Sequence, residues 1–148
     1  MAGAQTAQLR DRSAQAERML KRVSRIYRAG AISNFLVTVP AFIAYDRYVR
    51  TFTTEPPRYP FLVRIWSGMA FLWGVMFWEI AEDPASKYPM MKYSYLEKAI
   101  TSTSVATAYA AGNVPRRFLV GIAFTDIAWI PVFAWAQYTV AKARRVAP

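Results

Sequence analysis

The 148-residue chain contains no cysteine and no histidine. That pair of absences excludes disulfides, thiolate nucleophiles, haem held by His and nearly every common zinc, copper or di-iron ligand set. No cofactor and no metal is expected. A cysteine-free chain suits either redox compartment. Acids are scarce too, nine against 19 Lys and Arg, for a formal net charge of +10. Glycine numbers six, and no Gly-rich phosphate loop is formed from it. Internal repeats and low-complexity segments are also missing.

Apolar residues are plentiful instead, at 55% with 16% aromatic, above the roughly 45–50% of soluble domains. They concentrate in four runs nearly free of charge: Ala29–Tyr45, Tyr59–Trp78, Ala99–Val114 and Phe118–Val140. A membrane span needs about 20 such residues. The third run reaches that length by starting near Pro89, which takes in Glu97 and Lys98. The sequence therefore predicts an all-α fold, a four-helix transmembrane bundle preceded by a basic amphipathic surface helix. Its divisions are a basic N-terminal arm over 1–28, the transmembrane domain over 29–142 and a short basic tail over 143–148.

In the arm, Leu9, Ala16, Leu20, Val23 and Tyr27 recur at steps of seven, four and three, with Arg and Lys on other faces. Such a helix suits an anionic lipid surface. The first span runs from about Ala29 to Val49, and Pro40 predicts a kink because it has no N–H for the Leu36 carbonyl. The loop Thr51–Arg58, with Pro56-Pro57, ends it. The second span covers about Pro60 to Ala81, and Gly68 and Gly74, six apart, form no small-xxx-small face. The third covers about Pro89 to Gly112; its AITSTSVATAYAAG half is built of small residues, which predicts a central, protein-facing helix. The fourth covers about Pro115 to Lys142. Seven basic residues on the arm, three around the second connection and three in the tail oppose six on the other side. This asymmetry puts both termini in the cytoplasm. It also accounts for the positive charge without nucleic acid.

Polar residues interrupt these runs at related depths. At 1.5 Å per residue, Asn34 and Glu97 lie roughly 8 and 12 Å inside the cytoplasmic ends of their helices, and Asp126 roughly 17 Å from the outer end of its own. One cavity open towards the cytoplasm would hold all three, with Glu79 at its mouth. Tyr93, Glu97, Thr101 and Ser104 share a helix face, and Lys98 points about 100° away, within reach of Glu79 or Asp126. Glu97 and Asp126 are the candidate catalytic groups. Asn34, Glu79, Tyr93, Lys98 and Thr101 are the candidate ligand-binding ones. Carboxyls so placed suit proton transfer, or a cationic or hydroxylated ligand. Interhelical hydrogen-bonding glue is the alternative role for Asn34, Glu97 and Asp126.

Asn34, the stretch Ile80-Ala81-Glu82-Asp83-Pro84-Ala85-Ser86-Lys87-Tyr88, the Glu97-Lys98 pair and Asp126 together resemble small four-helix bacterial membrane proteins of the DoxX-like type, over about residues 28–140. The resemblance implies a multi-pass protein of the bacterial inner membrane. The chain is similar more loosely to the sterol-isomerase-like four-helix fold, which uses intramembrane carboxylates, although it lacks the His of those isomerases. Three functions follow as expectations. The leading one is an accessory or assembly subunit of a larger membrane complex, with membrane lipids and other membrane-protein subunits as partners. Next comes a stand-alone binding protein or cofactor-free acid–base enzyme, isomerase-like, for a hydrophobic small molecule. The third is an oligomeric proton-coupled transporter.

Overall fold

The computed structural model describes residues 2–52 and 60–146, and every regular element among them is helical. Helix α1 spans Ala2–Ile43, α2 Tyr45–Phe52, α3 Pro60–Glu82, α4 Met91–Ala110, α5 Arg116–Ile122 and α6 Trp129–Val146. A single 3₁₀ turn, Tyr88–Met90, leads into α4, and a π-helical turn, Ala123–Ile127, joins α5 to α6. Among the described residues, three helical stretches are long and apolar enough to cross a membrane: Gly3–Ile43, Pro60–Glu82 and Arg116–Val146. Helix α4, the third of the four expected spans, falls outside that set because Lys92, Glu97 and Lys98, with its Ser and Thr residues, lower its mean hydropathy.

The largest departure from expectation is α1. Its 42 residues make one rod of about 63 Å, with no break between the expected arm and the first span. The alanines, glutamines and arginines of its first half are strong helix formers. The face that read as a lipid-facing stripe is turned inward from Ala16 on: Ala16, Val23 and Tyr27 are buried, and Leu20 packs against the core. Ser24 donates to the Ala81 carbonyl at 2.7 Å, and Arg28 pairs with Glu82 at 3.2 Å. The expected surface helix is thus the first half of a core helix, and residues 3–15 are its exposed part. Its apolar stripe is as well suited to protein as to lipid.

Proline and glycine set the other boundaries. The helix passes through Pro40 and bends at Ala44, one turn later, where Ala44 N–H still bonds to the Pro40 carbonyl at 2.9 Å. Residues 51 and 52 complete α2, and the rest of the proline-containing loop lies outside the described residues. Pro60 occupies the first turn of α3, where its missing N–H has no partner to lose. Gly112, at φ 74°, ends α4 in the left-handed conformation that stops helices. Pro131 offers no N–H to the Ile127 carbonyl, and the widened π turn ends at that same Ile127. The expected tail continues α6 to Val146, with Ala143 buried and Arg144 over the Tyr88 ring at 5.1 Å.

Helices α1 and α3 run antiparallel: Arg28 meets Glu82 at one end, and Phe42 faces Gly68 towards the other. Helix α6 returns along α1, and α4 packs on α6. The buried core joins Val23, Tyr27, Ala31, Phe77, Ile80, Met91, Phe133 and Val140. At its centre the rings of Tyr27, Phe77 and Phe133 lie 4.8–6.0 Å apart, a spacing at which aromatic pairs attract beyond simple burial. A Cβ on Gly30 would stand 2.7 Å from Phe133, and one on Gly74 2.7 Å from Phe35. Gly74 therefore matters through a ring lodged against α3, which a small-xxx-small pattern does not register. The central helix is α1, not the third span: Thr103, Ser104, Ala106, Thr107, Tyr109 and Ala110 of α4 are exposed. Helices α3 and α4 scarcely meet, which leaves a seam between them.

Candidate functional site

Three polar side chains from three parts of the fold converge on one ammonium. The Lys98 Nζ lies 2.6 Å from Asp126 Oδ1 and 3.0 Å from Asn34 Oδ1, to which it donates, and 3.4 Å from Glu97 Oε2. Lys98 and Asp126 side chains are 5% and 7% exposed. Removing such charges from water costs several kcal/mol each unless partners replace the lost hydration. Lys98 gains these partners by pointing inward where α4 faces α1 and the π turn. The π turn adds a residue to the helical repeat beside Asp126, and insertions of this kind are frequent at functional sites.

Asn34 and Glu97 are held in turn. Asn34 Nδ2 donates to the Ala70 carbonyl of α3 at 3.1 Å, which presents its Oδ1 to Lys98. Thr101 Oγ1 donates to Glu97 Oε1 at 3.5 Å, a long bond one turn along α4. Glu97 Oε2 is buried and accepts no hydrogen bond, with the Lys98 ammonium 3.4 Å away. Thr38 and Thr125 donate to the backbone carbonyls one turn before them, at 2.8 and 3.1 Å.

The cluster faces a cavity of about 210 Å³. Asn34, Thr38, Glu97, Lys98, Thr101 and Asp126 supply its polar wall; Tyr48, Trp66, Ala70 and Phe118 supply much of the rest. A wider groove of about 470 Å³ follows the α3/α4 seam past Trp66, Met69, Trp73, Tyr93, Leu96 and Ile100. Groove and cavity share Trp66, Ala70, Glu97 and Thr101. Glu97 thus stands where the two meet.

Of the residues selected from sequence, Asn34, Glu97, Lys98, Thr101 and Asp126 are brought together. Tyr93 is separated from them, exposed on the groove with Lys92 over its ring at 5.1 Å. Glu79 is exposed and lines neither space, so the expected acid at the mouth is not there. Lys98 chooses Asp126 over Glu79. Tyr48, Trp66, Thr38 and Thr125 were not selected from sequence. Trp66 looks like any membrane-belt aromatic, and only the fold shows that it backs onto the cluster. The two threonines are placed by the Asn34 and Asp126 helices, respectively four and one residues from the polar groups, and that proximity was the available signal. Among the described residues no cluster of His, Cys, Asp and Glu could hold a metal. Comparison with protein-family models, curated proteins and solved structures finds no match.

Proposed function

We propose that the chain spans the bacterial inner membrane four times with both termini in the cytoplasm, and that it binds a hydrophobic small molecule by its polar head. The observation that carries this reading is the open space beside the Lys98 cluster. Here Glu97 lines a cavity, and its Oε2, buried in the wall, accepts no hydrogen bond. A tail continuing along the α3/α4 groove would meet Trp73, Leu96 and Ile100, and beyond them hydrocarbon. Glu97 and Asp126 are then the groups able to exchange protons with a bound molecule, the acid–base variant of the same reading. The likeness of Asn34, the Glu97-Lys98 pair and Asp126 to DoxX-like proteins supports the membrane setting.

Native mass spectrometry of protein extracted in a mild uncharged detergent tests the reading. A small amphiphile should accompany the chain in fixed ratio and be lost from Ala70→Phe, whose ring would fill the junction of cavity and groove. A chain free of any amphiphile and bound stoichiometrically to another membrane protein would favour the accessory-subunit reading instead. One observation favours that second reading: the small, polar face of α4 from Thr103 to Ala110 is uncovered, and small faces of this kind suit close helix–helix approach.

A further inference from the structure

We infer that the head taken by this cavity is a cationic hydrogen-bond donor, an alkylammonium ion, and that anionic heads are refused. The inference rests on the binding reading above and adds the chemical class of ligand. It begins with donors and acceptors. A lysine has three N–H donors and no acceptor, whereas a carboxylate only accepts. Two donors of Lys98 go to Asp126 and Asn34, and the third side of its ammonium faces Glu97 at 3.4 Å. The hydroxyls of Thr38, Thr101 and Thr125 donate to the Asn34 carbonyl, to Glu97 and to the Gly121 carbonyl. Asn34 Nδ2 is taken by the Ala70 carbonyl. These donors are committed within the wall. Glu97 Oε2, buried in the wall 3.4 Å from the Lys98 ammonium, accepts no hydrogen bond, and a turn of the carboxylate presents it to an entering donor.

Charge points the same way. One base and two acids give the cluster a formal charge of −1, and a cation entering beside Glu97 neutralises it. A carboxylate or phosphate would add a second uncompensated charge where water is scarce, which is severely unfavourable. The Trp66 ring and the other aromatic walls, Tyr48 and Phe118, favour a cation further, because ring faces are negative. Space is adequate. At about 30 Å³ per water in the liquid, 210 Å³ is the volume of roughly seven waters, enough for an ammonium and its first few carbons. The rest of an alkyl chain continues in the seam groove.

Three probes of one chain length separate the possibilities: dodecylamine, dodecanol and dodecanoate, titrated at pH 7 into full-length protein in uncharged dodecyl maltoside micelles. Binding is followed by tryptophan fluorescence, with Ala70→Phe as the blank for partition into the micelle. Dodecylammonium should bind at least about tenfold more tightly than dodecanoate, equivalent to about 1.4 kcal/mol, with dodecanol between them. Glu97→Gln should remove most of the amine's advantage over the alcohol. The wild-type ranking alone decides the question should that variant fold poorly. Dodecanoate or dodecanol binding more tightly than the amine would overturn the inference and leave the binding reading standing. Equal signals from wild type and Ala70→Phe with all three probes would overturn both.

Discussion

Removing the ammonium at the centre of the polar cluster should be the most damaging single change in the cavity wall. Lys98→Met keeps the length and much of the apolar stem but deletes the charge that faces Asp126, Asn34 and Glu97. Because Lys98 and Asp126 are 5% and 7% exposed, the buried-pair regime applies: an orphaned partner costs about 3–5 kcal/mol. The stranded Asn34 Oδ1 adds roughly 0.6 kcal/mol, a typical interhelical hydrogen bond in membranes. Asp126→Asn is not the mirror image. It leaves Lys98 with Asn34 at 3.0 Å and Glu97 at 3.4 Å, one base with one acid. Its loss should be at least about 1.4 kcal/mol smaller, tenfold in the folding equilibrium. Lys98→Met combined with Asp126→Leu should recover much of the damage, since a buried pair replaced by apolar groups is often neutral or better. Equilibrium unfolding by increasing SDS in mixed micelles, read by tryptophan fluorescence, measures all three. If Asp126→Asn proves as harmful as Lys98→Met, or the double variant no better than Lys98→Met alone, the ammonium is not the keystone described here.

Three further outcomes are expected. Gly30→Ala, whose Cβ would sit 2.7 Å from a Phe133 ring atom, should lower stability by about 1–3 kcal/mol, whereas Gly68→Ala, 3.5 Å from Phe42, should be almost neutral in the same unfolding assay. Deleting residues 2–15 should leave the thermal midpoint unchanged, because that segment is exposed; deleting 2–24 removes buried Ala16 and Val23 with the Ser24–Ala81 bond and should lower the midpoint sharply by circular dichroism. Asp83 should give a pH signature: the side chain and then the backbone N–H of Ser86 hold its carboxyl below the ordinary carboxylate range. A group with a depressed folded value stabilises above its unfolded value and loses that contribution as pH falls through the folded one, so the melting difference between wild type and Asp83→Asn should shrink on acidification.

The sequence announced the helical class and most helix ends, because proline, glycine and charge density mark them locally: Pro60, Glu82, Gly112 and Pro115 each lie within a few residues of an observed boundary. It also brought Asn34, Glu97, Thr101 and Asp126 into one neighbourhood, since depth along a helix is a matter of counting. Azimuth is not. Glu79 satisfied the depth criterion and yet turns away from the cavity, and Tyr93, which shares a helix face with Glu97, lines the outer groove instead. The partner chosen by Lys98 depended on a π turn that shifts Asp126 around its axis, and no local periodicity encodes such an insertion. The same blindness affected Val23 and Tyr27: an apolar stripe announces burial without saying whether lipid or protein covers it.

The exposed first part of α1 has a kinetic and mechanical character that follows from its continuity with the core. A peptide as short as residues 3–15 would be a marginal helix alone, because starting the first turn is unfavourable. Here the turns around Val23 and Tyr27 are locked by packing, so the exposed segment lengthens a helix that already exists and needs only residue-by-residue propagation. Its basic residues Arg10 and Arg12 are thereby carried on a stiff rod rather than a loose tether. At 1.5 Å per residue that rod projects about 20 Å, so whatever those arginines meet is met at a fixed distance from the rest of the fold.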